Sequence, residues 1–226
     1  MSFCFSRMPR LFAAVLTWIC IGTLAGCAQQ RAEPLPSDVK PDISGDSGYI
    51  LASITKNSGS NAWVEVTPLN GRPQPLDAQA RGLWDHHDDF SEDETRTGRL
   101  MFIAVPKGHY EITNWRFKSH SRVDRDRVLG PARLPGIPFF IGPGEVVYLG
   151  NVHIDVEHEV SDLPLMLQAI RSVGAQIHDR ASRDITLFRK RYVGFSEISV
   201  RASVKRSAAW GLRIKLEIPE DQPHRP

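Results

Sequence analysis

The chain has 226 residues, with 28 Lys/Arg, 26 Asp/Glu and 41% hydrophobic residues. Two of the bases, Arg7 and Arg10, lie in an acid-free N-terminal stretch, so residues 27–226 carry 26 charges of each sign. That balance gives no reason to expect a nucleic-acid partner, and three cysteines, Cys4, Cys20 and Cys27, are too few for a disulfide framework.

Residues 1–26 have the parts of a secretory signal. Arg7 and Arg10 form a basic start, "LFAAVLTWICI" (11–21) an apolar core, and Ala25 and Gly26 a small-residue close. Met8 also precedes a workable signal. The apolar run to Ala25 is shorter than the roughly 20 residues a membrane span needs. The junction Leu24-Ala25-Gly26-Cys27 resembles the lipobox of bacterial lipoproteins. The resemblance implies cleavage between Gly26 and Cys27, a diacylglycerol on the Cys27 sulfur and an acyl chain on its new amino group. No other cofactor is expected. Several acyl chains hold a protein to a bilayer where one holds it only marginally. Ala28, rather than an aspartate, follows the cysteine, which in that family implies the outer membrane of a diderm bacterium, with the periplasmic face as the expected location. The other reading is an ordinary signal with a chance cysteine. With Cys4 and Cys20 removed and Cys27 acylated, the mature chain would have no free thiol, which excludes cysteine catalysis and thiolate metal sites.

Residues 27–47 are polar and proline-containing and read as the lipidated cysteine and a flexible tether. A β-sandwich core is expected over 48–160. "YILASIT" (49–55) and "AWVEVTPL" (62–69) flank a turn-rich "NSGSN" and read as a hairpin. "RLMFIAV" (99–105) is a continuous apolar run, as in a strand buried on both faces. "HYEITNWRF" (109–117), "IPFFI" (137–141) and "EVVYLGNVHIDV" (145–156) follow, the last two joined by "GPG". "VPKGHYEI" (105–112) resembles the Pro-x-Gly-x-Tyr corner of transthyretin-like and carboxypeptidase-regulatory-like sandwiches. "FFIGPGEVVYLGNV" (139–152) is similar to paired strands of small bacterial lipoprotein β-domains. Both resemblances imply a fold, not a reaction.

An α/β extension is expected over 161–218, packed on or beside the sandwich. Residues 161–174 read either as a short helix or, over 165–170, as a strand. "SRDITLFRKRY" (182–192) reads as a helix with Ile185, Phe188 and Tyr192 on one face. "EISVRASV" (197–204) and "LRIKLEI" (212–218) alternate and read as a second hairpin. Residues 219–226 read as a disordered tail. The expected fold is mainly β: an antiparallel sandwich with a short C-terminal helix and an extra hairpin.

Four constellations could carry chemistry. Residues 77–95 hold seven acids and one base, and within them His86, His87, Asp88 and Asp89 are candidate metal ligands, since imidazole and carboxylate suit zinc, nickel or copper. Against a preformed site, adjacent histidines on a strand point to opposite faces; the plain alternative is a solvated acidic loop. Residues 180–215 hold ten bases and two acids. Arg189, Lys190, Arg191, Lys205 and Arg206 are candidates to meet anionic lipid or an acidic envelope partner. The alternative is a basic face that balances the acidic loop within the molecule. His153, Asp155 and Glu157 share one strand face, read as an exposed polar face rather than a metal site. Trp63, Trp84, Trp115 and Trp210 read as core and edge residues or, less simply, as a sugar-stacking platform. There is no G-x-S-x-G, P-loop or H-E-x-x-H, so no catalytic residue is assigned. The expectation is a non-enzymatic envelope interaction or structural module held to the membrane by its lipid anchor. The alternatives are a metal- or ligand-binding periplasmic module using residues 84–94, and an envelope hydrolase using paired carboxylates.

Overall fold

A computed structural model describes residues 35–42, 45–57, 61–69, 74–78, 89–90, 97–119, 127–159, 169–205, 208–211 and 213–216. Cys27, residues 1–26, His86, His87, Asp88, Trp84, Arg206 and residues 219–226 lie outside them.

The described residues form eleven strands and one α-helix: β1 (Ser47–Lys56), β2 (Asn61–Pro68), β3 (Gln74–Ala78), β4 (Thr97–Pro106), β5 (Gly108–Lys118), β6 (Val128–Leu129), β7 (Ile137–Ile141), β8 (Val146–His158), β9 (Ile170–His178), α1 (Ala181–Arg191), β10 (Val200–Ala202) and β11 (Arg213–Lys215). One sheet runs β3-β2-β5-β6, with β7 also on β5. The other runs β11-β9-β8-β1-β4, with β10 also on β8. The fold is thus mainly β, as the strand pattern implied. Most pairs are antiparallel, but β1–β8 and β10–β8 are parallel.

The connections differ from the expected hairpins. β1 and β2 do not pair; β1 belongs to the β8 sheet and β2 to the β5 sheet. The same switch occurs from β4 to β5 and from β7 to β8, so the segments flanking "GPG" lie in different sheets. β10 and β11 are not a hairpin either, since β10 joins β8 and β11 joins β9. Residues 170–174, inside the segment read as helix or strand, belong to β9. Alternating polarity shows that a strand has a buried face, but not which neighbour supplies its hydrogen bonds.

At the β4–β5 corner the Tyr110 hydroxyl donates to the Pro106 carbonyl at 2.6 Å, which satisfies a buried phenol across the sheet switch. Gly48 lies so close to the Gly142 carbonyl that a Cβ would stand 2.3 Å from that oxygen. Gly150 sits at the bulge where the β1–β8 register shifts, with φ at +104°, a conformation that side chains with a Cβ rarely adopt.

Between the sheets lies the main core. Ile50, Ala52 and Ile54 from β1, Met101, Ile103 and Val105 from β4, and Val147 and Leu149 from β8 meet Val64, Ile112, Trp115 and Phe117 of the facing sheet. The other face of the β8 sheet is also covered. Tyr49, Leu51, Leu100, Phe102, Val146 and Tyr148 pack against Phe188, Tyr192 and Phe195. This explains why "YILA" (49–52) and "LMFI" (100–103) are apolar without interruption: odd and even residues both face a core. Phe102 is the hub of the outer core, with ring centroids 4.7–5.3 Å from Tyr49, Phe188, Tyr192 and Phe195. Burying such a ring contributes about 1.5–3 kcal/mol.

The segment expected as a free tether is held down where it is described. Leu35 and Val39 pack on the outer core. The Leu35 amide donates to the Phe102 carbonyl at 2.8 Å, and the Tyr192 hydroxyl donates to the Leu35 carbonyl at 3.1 Å. The Asp42 amide donates to the Tyr49 hydroxyl at 2.8 Å. Residues 35–42 are therefore a strap across the outer layer. Two apolar side chains among polar and proline residues suffice to dock it, and composition alone hides them.

Candidate functional site

The outer layer brings together the acidic and basic segments. Within residues 84–94, Asp89 and Phe90 are the described part. Asp89 forms a bidentate pair with the Arg191 guanidinium, and its Oδ2 also accepts from the Leu100 amide at 2.7 Å. The Asp89 amide donates to the Gly98 carbonyl at 3.0 Å. Phe90 is buried, and the Arg183 guanidinium carbon lies 3.9 Å above its ring centre. β4 ends its sheet, and Gly98, Leu100 and Phe102 present backbone groups along its outer side. Asp89 takes the first two and Leu35 the third. Together they blunt an edge that would otherwise template a foreign strand.

Of the candidate metal ligands, Asp89 therefore has a guanidinium and an amide as neighbours. His86, His87 and Asp88 lie outside the described residues. Among the described residues no group of three or more His, Cys, Asp or Glu is placed to hold a metal ion. His153 meets the Thr55 hydroxyl at 3.0 Å. Asp155 and Glu157 share the Arg213 guanidinium, at 2.7 and 3.2 Å, so that carboxylate pair is bridged by a cation from β11. Trp115 and Trp210 are in the core, which removes them from any sugar platform.

The basic candidates divide. Arg191 is held by Asp89, whose hydrogen bonds raise its pKa above the ordinary arginine value. Lys205 donates to the Pro138 carbonyl at 2.8 Å. Arg201, not among the candidates, pairs with Glu145 and donates to the Phe140 carbonyl at 2.5 Å. The Arg201 hydrogen bond holds the Glu145 carboxyl below its usual range. Lys205 and Arg201 thus cap carbonyls of β7. Arg189 and Lys190 are exposed on the last turn of α1, and no ion pair among the described residues involves them. Arg206 lies outside the described residues.

A buried polar chain joins α1 to the sheet. Asp184 is fully buried, and its Oδ2 accepts from the Ser53 and Tyr148 hydroxyls, both at 2.6 Å. The Arg183 guanidinium donates to its Oδ1 at 2.8 Å. The Asn151 amide donates to Ser53 Oγ at 2.8 Å and to Thr55 Oγ1 at 3.1 Å, and Thr55 leads to His153. Burial is the main reason that the Tyr148 phenol is pushed far above its ordinary pKa. The Ser53 hydroxyl donates its hydrogen bond to a carboxylate and is fully buried. Its hydrogen bonds make it a fastener, since a nucleophile must reach substrate. Sequence reading missed Ser53, Asn151 and Asp184. The available signal was two hydroxyls, Ser53 and Thr55, at alternate positions in an otherwise apolar strand.

No model of a known protein family matches the chain, and no curated protein sequence matches it.

Proposed function

We propose that the chain is a lipid-anchored cell-envelope lipoprotein whose β-sandwich serves as a non-enzymatic interaction or structural module. The observation that carries the proposal is the sequence of residues 1–27: a basic start, an apolar core and Leu-Ala-Gly-Cys at its end. In this reading Cys27 bears diacylglycerol and an N-acyl chain, and Ala28 directs the protein to the outer membrane, facing the periplasm. The described residues, from Leu35 to Leu216, fall in one compact unit, which supports a discrete domain carried by the anchor. The non-catalytic part of the reading draws on the polar groups described above. Ser53, Asp184, Asp155, Glu157 and Asp89 all hold layers or strands together.

The test is to express the full chain and its Cys27→Ala variant with labelled palmitate and fractionate the envelope. Label and outer-membrane recovery should both disappear in the variant. Retention of both would overturn the proposal.

A further inference from the structure

We infer that the corner formed by the C-terminal turn of α1 and the start of the strap docks on anionic phospholipid headgroups of the bilayer that holds the anchor. The inference rests on acylation at Cys27, as proposed above. Seven residues, 28–34, separate Cys27 from Leu35. Eight residue steps reach at most about 28 Å when fully extended, and Leu35 is fixed to the fold by Phe102 and Tyr192. Tyr192 immediately follows α1. The anchor therefore enters the domain at this corner and keeps it within one short chain length of the headgroups.

The chemistry of the corner suits that surface. Arg191, the third base of the turn, is taken by Asp89, while Arg189 and Lys190 are exposed with no ion pair among the described residues. Val193, one residue past Tyr192, is 70% exposed, the most exposed large apolar side chain described. Two cations beside one aliphatic residue match a layer of phosphates over acyl chains. Elsewhere in the basic segment, Arg201, Lys205 and Arg213 are engaged within the fold. Arg180 and Lys215 are exposed too, but singly and on other elements; among the described residues of the segment, the adjacent pair of exposed bases without an ion pair is at the corner where the tether enters.

The test uses the mature chain, residues 27–226, with its single thiol, Cys27, coupled to a maleimide lipid. Anchoring then does not depend on acylation in the cell. A Val193→Trp substitution reports depth through quenching by brominated lipids, read against the unsubstituted chain. On bilayers rich in brominated phosphatidylglycerol, added quenching and a blue shift are expected. Arg189→Gln with Lys190→Gln should lower the docked-to-undocked ratio about 30-fold, at roughly fivefold per cation. Raising salt from about 0.02 M to about 0.5 M should abolish the signal. Equal emission on phosphatidylglycerol and phosphatidylcholine, or no change on removing the two charges, would overturn the inference. Because coupling is chemical, a failure of acylation in the cell would leave this result unaltered and would overturn only the anchoring proposal.

Discussion

Asp89 and Arg191, 102 positions apart in the chain, form a two-pronged ion pair that fastens the acidic loop to the last turn of α1. The same carboxylate caps the Leu100 amide on the open side of β4. One side chain thus ties a loop, a helix and a sheet edge together. Asp89→Ala should cost about 2–3 kcal/mol, because it strips a half-buried guanidinium and an edge amide of their acceptor together. Arg191→Ala should cost less, since Leu100 keeps its partner. A double-mutant cycle read by denaturant unfolding should give a coupling of about 1 kcal/mol or more. Additive losses would contradict a direct pair.

Asp184 fixes the other end of α1. Asp184→Leu removes the acceptor shared by Ser53 and Tyr148 and leaves both hydroxyls buried. A loss of about 3–5 kcal/mol is expected. Ser53→Ala leaves Tyr148 and Arg183 on the carboxylate and should cost only about 1–2 kcal/mol. Equal losses for the two variants would mean that the carboxylate is not the hub.

Alkali should unfold the protein from the phenols outward. Burial is the main cause that raises the pKa values of Tyr110, Tyr148 and Tyr192 above 10.0. A raised folded-state value means that this contribution is complete below the unfolded pKa, about 10. It is lost as pH climbs through the folded values. Unfolding free energy measured from pH 8 to 12 should fall from about pH 10 upward. These three tyrosinates should appear at 295 nm together with unfolding. Full ionisation near pH 10 with the far-ultraviolet signal intact would refute the assignment.

Acid should act at the Glu145–Arg201 pair. Arg201, chiefly through its hydrogen bond, lowers the Glu145 pKa below its usual 4.5. The depressed value means that the contribution is present above about 4.5 and is lost as pH falls through the folded value. In a carboxyl-carbon titration by NMR, Arg201→Ala should move the Glu145 midpoint upward. An unmoved midpoint would show that the pair does not persist in solution.

The strap should matter to solubility as well as stability. Leu35→Asp should weaken docking on Phe102 and Tyr192 and free the Phe102 carbonyl on the β4 edge. Light scattering should then show stronger concentration-dependent association than in the parent chain. A monomeric variant with unchanged Tm would mean that the strap is ornamental.

Local structure was legible from the chain where one residue type repeated at one period. α1 was readable because Phe188 and Tyr192 recur on one face, yet Asp184, buried on the inner side of its first turn, reads as an ordinary exposed acid. β4 was readable as buried on both sides, since no polar residue interrupts Leu100–Val105. β9 was not, because Arg171, Ser172, Gly174 and Gln176 dilute its alternation. Its inward residues, Val173, Ala175 and Ile177, are half of a face whose other half is β8. Pairing partners were beyond reach: nothing in "YILASIT" or "AWVEVTPL" distinguishes a hairpin from a step between sheets. For the outer layer, charge sums hinted that acidic and basic segments balance, but only coordinates single out Asp89 and Arg191 as the pair that meets and leave Arg189 and Lys190 facing outward.

The strap also imposes an order of events on the chain. Its landing place is made of Phe102, Tyr192 and the ground beside Gly194, where the Val39 carbonyl comes within 3.1 Å of the position a Cβ would take. Most of that site is made late in synthesis, whereas the strap comes first among the described segments. Contacts spanning 157 positions carry the loop-closure delay of distant partners. The full landing place for residues 35–42 therefore exists only once the segment after α1 is seated beside Phe102.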